Sequence, residues 1–261
     1  MNSLILNKKL MIIAGPCAAE SREQVINCAL SLEKQGIKIM RASLWKPRTQ
    51  PGFEGMGTKG IAWLSEVTRL GMTVATEILL PVQLTQLIKG INKNGDLSKV
   101  LLWIGSRNQN HLIQREIAKI IKEKMPKNVK LLIKNQAWAD ERHWLGIVNH
   151  ILGSGISSKR LILCHRGFSS HGQNNPDNFR NLPDFEMAMR VKKTTGLPML
   201  IDPSHIGGTV KNVFRVMEMA DKHDFDGMII EVHPTPLEAK SDAKQQLTFK
   251  ELDKLLKIWK K

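Results

Sequence analysis

Four residues in this chain carry the side chains that hold divalent ions, and each sits in a conspicuous setting. Cys17 closes Gly15-Pro16-Cys17, His205 closes Asp202-Pro203-Ser204-His205, Glu231 lies inside Ile-Ile-Glu-Val-His, and Asp242 follows Ser241. A thiolate, an imidazole and two carboxylates form a mixed soft and hard donor set, better suited to Mn, Fe, Co or Zn than to Mg or Ca. Read singly, they are weaker signals. Cys17 could be a small buried residue and His205 a satisfied residue at a helix start. Glu231 is harder to dismiss, because a carboxylate in an apolar strand needs a partner. A second group is cationic: Arg41, Lys46, Arg48, Arg107, Lys134 and Arg166. Six cations around one opening would repel one another unless anions sat between them. Phosphate and carboxylate groups are the natural occupants, since arginine grips either with paired hydrogen bonds.

These residues can meet only if the intervening elements bring them together. Eight short apolar runs recur, at Met11–Ala14, Ile37–Arg41, Met72–Thr76, Val100–Ile104, Val129–Ile133, Arg160–Cys164, Pro198–Ile201 and Gly227–Val232. They are mostly continuous rather than alternating, as in parallel strands covered on both faces. Between them run helix-length segments. Ser21–Gln35 starts with an N-cap serine and Gln24 three residues on, and Lys59–Arg69 stops before Gly71. Thr248–Trp259 pairs Thr248 with Glu251 as a capping box and carries a Leu252, Leu255, Leu256, Trp259 stripe that reads as core. Eight strand-then-helix units predict an α/β fold, a single (β/α)8 TIM barrel spanning residues 1–261. A doubly wound open sheet would want a glycine-rich fingerprint after its first strand, where Pro16 stands instead.

Barrel enzymes keep their sites at the C-terminal ends of the strands, and the unusual polar residues fall there. Closure makes the eighth strand a neighbour of the first, which gathers Cys17, His205, Glu231 and Asp242 on one arc and leaves the cations on the other. Glu77 follows the third run. Asp202 reads as a residue supporting a ligand, and His165 and His233 as orienting or core histidines. His111, His143, His150, His171 and His223 read as surface residues.

Composition narrows the rest. The chain has 261 residues and a formal net charge of +15, with lysines dispersed rather than interleaved with aromatics. That favours a solvated basic surface over a nucleic-acid-binding protein, the non-enzyme alternative. The three cysteines, Cys17, Cys28 and Cys164, make no CxxC pattern and no disulfide framework. The longest apolar runs are too short to span a bilayer, and the start of the chain has no signal-peptide pattern. A soluble cytoplasmic protein without membrane partners is the expectation.

At these residues a resemblance becomes specific. Gly15-Pro16-Cys17, Lys46-Pro47-Arg48-Thr49, Gly105-Ser106-Arg107, Lys134-Asn135, His165-Arg166-Gly167-Phe168, Asp202-Pro203-Ser204-His205, Glu231-Val232-His233-Pro234 and Ser241-Asp242 resemble the signature blocks of the 3-deoxy-7-phosphoheptulonate synthases, over about residues 11–256. The resemblance implies an aldol-type condensation of phosphoenolpyruvate with erythrose 4-phosphate and water. This is the first step of the shikimate pathway to aromatic amino acids. It implies that Cys17, His205, Glu231 and Asp242 hold a divalent metal, with Cys17 and His205 serving catalysis through it. Arg41, Lys46, Arg107, Lys134 and Arg166 would then bind phosphoenolpyruvate, Arg48 and Thr49 the phosphate of erythrose 4-phosphate, and Lys46 would also help move a proton. The sister enzymes, 3-deoxy-manno-octulosonate 8-phosphate synthases acting on arabinose 5-phosphate, usually carry Ala-Asn-Arg at the Lys-Pro-Arg-Thr block. Asn108 and the Gln136–Asp140 stretch depart from the family's pattern and bear on loop geometry and affinity rather than on reaction type. A homo-oligomer is expected, with no separate regulatory or chorismate mutase domain and control, where present, from a separate chorismate mutase partner. Without such a partner, phenylalanine, tyrosine or tryptophan added to the purified protein should leave its rate unchanged.

Overall fold

Backbone hydrogen bonding turns each of the eight apolar runs into a parallel strand, and the last strand pairs with the first. The computed structural model describes residues 10–47 and 51–259; Arg48 and Thr49 lie outside the described residues. The strands are β1 (Met11–Gly15), β2 (Ile39–Arg41), β3 (Thr73–Glu77), β4 (Val100–Ile104), β5 (Lys130–Lys134), β6 (Leu161–His165), β9 (Met199–Ile201) and β10 (Gly227–Glu231). They close in the order β1-β10-β9-β6-β5-β4-β3-β2. The closing ladder sets Met11 against Gly227 and Gly15 against Glu231. The expected (β/α)8 barrel is the observed one.

The boundaries differ from the expected runs by a residue or two, with a common reason. Ladder bonds depend on the backbone and ignore side-chain polarity, so several strands run on past the last apolar residue. Glu77 therefore ends β3 instead of opening the loop after it, while Lys134 and His165 end β5 and β6 as expected and Arg166 falls just past β6. Arg160 belongs to a short 3-10 turn before β6, and β10 stops at Glu231.

Helices α1 (Arg22–Lys34), α2 (Ile61–Arg69), α3 (Pro81–Asn94), α4 (His111–Lys124), α5 (Glu141–Leu152), α6 (Phe185–Thr195), α8 (Val210–Ala220) and α9 (Phe249–Trp259) wrap the outside. At α1 the Ser21 hydroxyl accepts from Gln24 N–H, while the Gln24 side chain reaches back to Glu20 N–H instead of to Ser21. At α9 the box is reciprocal: Thr248 Oγ1 accepts from Glu251 N–H, and Glu251 Oε2 accepts from Thr248 N–H. Lys59 lies in a 3-10 turn over Gly57–Gly60 that leads into α2. Two features were not expected. A two-residue antiparallel ladder, β7 (Phe168–Ser169) with β8 (Asn181–Leu182), rises from the loop after β6, and a short helix α7 (Pro203–Gly207) precedes α8. Elements this short hold little more than a single repeat of their pattern, so hydrophobic spacing does not reveal them.

The core has two layers. Ile13, Ala75, Leu101, Leu132, Ile162 and Ile229, among others, fill the barrel under Trp103. The larger layer lies between strands and helices and includes Trp144, Leu64, Leu84 and Leu163. No helix among the described residues is long and apolar enough to cross a membrane.

His165 is fully buried, packs against Trp144 at 5.8 Å, and accepts at Nε2 from Asp184 N–H at 3.0 Å. Burial, reinforced by Arg166, holds its pKa down from 6.5 to about 3, so it is neutral at physiological pH. The unfolded chain takes up a proton below pH 6.5 that the folded chain refuses. The stabilisation is therefore complete above pH 6.5 and is lost as the pH falls towards 3. His165→Gln, which keeps an acceptor without titrating there, should flatten the acid limb of stability by up to about 1.4 kcal/mol per pH unit. Urea unfolding at stepped pH between 7 and 4 checks this; parallel slopes for both proteins would refute it.

Candidate functional site

Alternation along the strands explains why charged groups line the top of this barrel. Side chains two apart share a face. Inward-facing Ile39, Ala75, Leu132 and Ile229 are therefore followed on the same face by Arg41, Glu77, Lys134 and Glu231. Each of these four strands places an apolar residue in the barrel core and, one pleat higher, a charged residue at its mouth. Trp103 on β4 is the floor: the Arg41 guanidinium and the Lys134 ammonium lie over its ring at 5.0 and 5.5 Å. The cavity above it holds about 250 Å³. Gly105 admits Glu77, whose Oε1 would meet a Cβ there at 1.9 Å.

On one side of the mouth, donor atoms of Cys17, Glu231 and Asp242 all lie within 4.8 Å of one another. The closing ladder makes this possible. Gly15 pairs with Glu231, and Cys17 follows two residues later. The Cys17 thiol donates to Asp242 Oδ2 at 3.1 Å and accepts from Lys46 Nζ at 2.8 Å. Burial first, and the Glu231 charge next, push the thiol far above its usual range. Burial also opposes ionisation of Glu231, but His205 and Arg41 outweigh it and keep this carboxylate charged. Asp242 is held well below the usual carboxylate range, because Lys46, His205 and Arg180 overcome its burial. Glu231 Oε1 accepts no hydrogen bond; the Arg41 guanidinium faces it at 3.1 Å in an ion pair whose angles fall short of one. A buried thiol whose proton a bound cation would displace, two ionised carboxylates and an oxygen without a hydrogen bond form a donor set that a divalent cation would complete.

His205 stands beside this trio instead of within it. Its Nε2 is 3.8 Å from Glu231 Oε1, and its Nδ1 is 2.9 Å from Asp202 Oδ2. Burial lowers its pKa despite Asp202 and Glu231. With its Nδ1 proton on Asp202, a tautomer inferred from these partners, the ring turns its Nε2 edge towards the cluster, where loss of the Nε2 proton would free a lone pair for a cation.

The opposite wall is basic. Lys134 Nζ pairs with Asp202 Oδ2 at 2.5 Å, with both groups buried. Arg41 is buried with Nε and Nη1 lacking hydrogen bonds. Arg166 donates to Asn181 Oδ1 at 2.7 Å. Burial lowers its pKa to about 10, and Arg180 and Arg107 push the same way against Asp202. That marks an excess of positive charge. Arg107 is exposed on the rim and donates to Pro47 O at 3.1 Å. Asn108, fixed by its donation to Leu79 O, accepts from Gln114, and Gln136 donates to Trp138 O and Asp140 O. Both departures from the family pattern thus tie down their own loops.

Several supporting residues escape a linear reading. Gln245 donates to Glu231 Oε2 at 2.6 Å, Gln246 accepts from Cys17 N–H at 3.0 Å, and the Ser204 hydroxyl accepts from Glu231 N–H at 2.9 Å. Two adjacent glutamines just before apolar Leu247 were the available signal, since buried amides need partners. Trp103 looks like core and is core, yet its face is also the floor of the cavity. His233 is buried at the end of the barrel, where its Nδ1 accepts from Thr235 N–H at 3.0 Å. Cys28 and Cys164 are buried away from the donor trio as free thiols.

Known proteins share this architecture. The model of the DAHP synthetase I family matches residues 6–261. The chain is similar to phospho-2-dehydro-3-deoxyheptonate aldolase of Thermotoga maritima, with 32% identity over 262 residues covering 98% of this chain and 70% of the relative. The crystal structure of that Thermotoga protein, described as a DAHP synthase, superposes with a TM-score of 0.81 at 31% identity, over 97% of this chain and 69% of that one. A 2-dehydro-3-deoxyphosphooctonate aldolase of Vesicomyosocius okutanii is 26% identical over 275 residues, covering 97% of this chain and 90% of its own.

Removing Asp202 would strand the Lys134 charge and free the His205 ring. Asp202→Ala should destabilise the protein by about 3–5 kcal/mol. Chemical denaturation checks this, and a loss below about 1 kcal/mol would show that the Lys134–Asp202 pair does not behave as a buried one.

Proposed function

This chain belongs to the DAHP synthetase I family, and we propose that its barrel mouth condenses phosphoenolpyruvate with erythrose 4-phosphate and water to 3-deoxy-D-arabino-heptulosonate 7-phosphate and phosphate. The observation that carries this reading is the opposition, across one cavity, of the Cys17–Glu231–Asp242 trio and a wall of buried cations.

Cys17, Glu231 and Asp242, with His205 turned towards them, are the residues that would hold the divalent metal, and the thiol and imidazole favour Mn, Fe, Co or Zn. When bound, the ion supplies Lewis-acid polarisation of the aldehyde oxygen. Asp202 holds the His205 ring from behind, and Gln245 holds Glu231, so the donors are orientated before any ligand arrives.

The chain's own cations do the rest. Arg41, Lys134, Arg166 and Arg107 bind the carboxylate and phosphate of phosphoenolpyruvate, and the Trp103 floor keeps Arg41 and Lys134 raised towards the cavity. Lys46 joins these cations at phosphoenolpyruvate, and Arg48 and Thr49, two and three residues on in the sequence, serve the phosphate of erythrose 4-phosphate. Carbon three of the enol phosphate attacks the aldehyde carbon. Lys46 Nζ, protonated and beside the Cys17 sulfur, is the group suited to deliver a proton to the former aldehyde oxygen. Water adds to the electron-poor carbon two, and the carbon–oxygen bond to phosphate breaks. Arg166, with its excess positive surroundings, stabilises the departing phosphate. The same reading takes residues 1–261 as one catalytic barrel in the cytoplasm that forms a homo-oligomer, binds no nucleic acid, and depends on a separate chorismate mutase for any feedback control.

The test is phosphate release by the purified chain with phosphoenolpyruvate and either erythrose 4-phosphate or arabinose 5-phosphate. Erythrose 4-phosphate should be preferred by roughly tenfold or more in kcat/KM. Chelation should lower the rate roughly 100-fold or more, with recovery on adding Mn, Fe, Co or Zn. Preference for arabinose 5-phosphate would transfer the chain to the sister reaction, and an undiminished rate after verified metal removal would refute the metal role. Lys46→Met should reduce kcat by about 100-fold or more; a change confined to KM would assign Lys46 to binding alone.

A further inference from the structure

The hairpin between β7 and β8 delivers two adjacent residues to this site, and the mechanism above uses neither. Asn181 accepts from Arg166 Nη1 at 2.7 Å and donates to His205 O at 2.6 Å. Arg180 points the other way. Its Nη1 pairs with Asp242 Oδ1 at 2.9 Å and donates to Gln245 Oε1 at 2.6 Å. Gln245 in turn holds Glu231, so one guanidinium touches one carboxylate of the trio directly and another through a single amide. Room for it is built in. A Cβ on Gly208 would meet the Arg180 Cβ at 2.6 Å, and Gly208 has a φ of +74°, which favours glycine.

Asp242 needs such a tie. It adopts the left-handed conformation at φ 52°, ψ 32°, uncommon for a residue with a side chain. Its two oxygens have separate duties: Oδ1 faces Arg180, while Oδ2 accepts from Cys17 Sγ at 3.1 Å and lies 3.7 Å from Lys46. We propose that Arg180 is a positioning residue that occupies Asp242 Oδ1, so that Oδ2 alone is presented to the cluster and the carboxylate serves as a one-oxygen metal ligand. The inference rests on the metal reading of the preceding subsection.

Positioning and charge make opposite predictions, which renders the idea testable. A cation next to a metal ligand repels a divalent ion, so by charge alone its removal would tighten metal binding. As a support to a ligand, its removal should weaken binding by about 10–100-fold. The experiment titrates the full chain, freed of metal, with Co²⁺ in competition with a chromophoric chelator, for wild type, R180A and R180Q. We expect R180A to bind Co²⁺ about 10–100-fold more weakly. R180Q should lie between, because its amide can donate to Oδ1 without a charge, and the visible Co²⁺ absorption should change in shape for R180A. Thermal melts of the metal-free proteins separate loss of folding from loss of affinity; should R180A not fold, R180Q is judged by the same criterion. Equal or tighter Co²⁺ binding by the variant would overturn the proposal, as would unchanged Co²⁺ affinity with a raised KM for a phosphorylated substrate, which would make Arg180 a substrate clamp. If the wild type itself took up no Co²⁺, the metal reading would fall and this inference with it.

Discussion

Glu231 is a fully buried carboxylate at the end of the strand that closes the barrel. A lone charge in such a place is prohibitively costly, so the structure around it has to supply partners. Arg41 faces one oxygen, Gln245 donates to the other, Ser204 takes the backbone N–H, and His205 Nε2 lies 3.8 Å from Oε1. These partners come from β2, the segment after β10, and α7. One buried acid thereby recruits distant parts of the chain to the mouth, and the barrel must close in register for any of them to reach it.

A second constraint links the two walls. Asp202 caps α7 through His205 N–H, holds the His205 ring, and pairs with Lys134 from the opposite side. The imidazole beside the donor trio and the ammonium of the basic wall thus share one carboxylate, which is held ionised far below its ordinary range because His205 and Lys134 outweigh its burial. Trp103 supplies the apolar counterpart. Its ring closes the barrel core beneath and offers a π-face to two cations above. The site is therefore continuous with the core, and changes in core packing would be felt at the mouth.

The loops complete what the strands begin. The segment after β10 crosses the mouth and pairs back at Val232 with Leu247. It carries Asp242, Gln245 and Gln246 into contact with Glu231 and Cys17. The β7–β8 hairpin does the same for Arg166 through Asn181. Backbone strain at Asp242 and a glycine at Gly208 mark where these excursions meet.

Much of this was legible in the linear chain. Eight continuous apolar runs, each long enough for one strand and separated by helix-length segments, leave a closed parallel barrel as the economical way to bury them. The polar residues at the ends of those runs then belong to one mouth, because every strand of a parallel barrel points the same way. What the chain could not reveal was set by contacts between residues remote in sequence. That His205 sits beside the Cys17–Glu231–Asp242 trio, that Lys134 is paired with Asp202, and that Trp103 forms a floor all depend on strand register and stagger, which period-two spacing within one strand does not encode. The hairpin and its Arg180 stayed hidden for a related reason. Two-residue strands carry no periodic signal, and an arginine in a polar loop looks solvated until the fold brings a carboxylate 62 positions away to within a hydrogen bond of it.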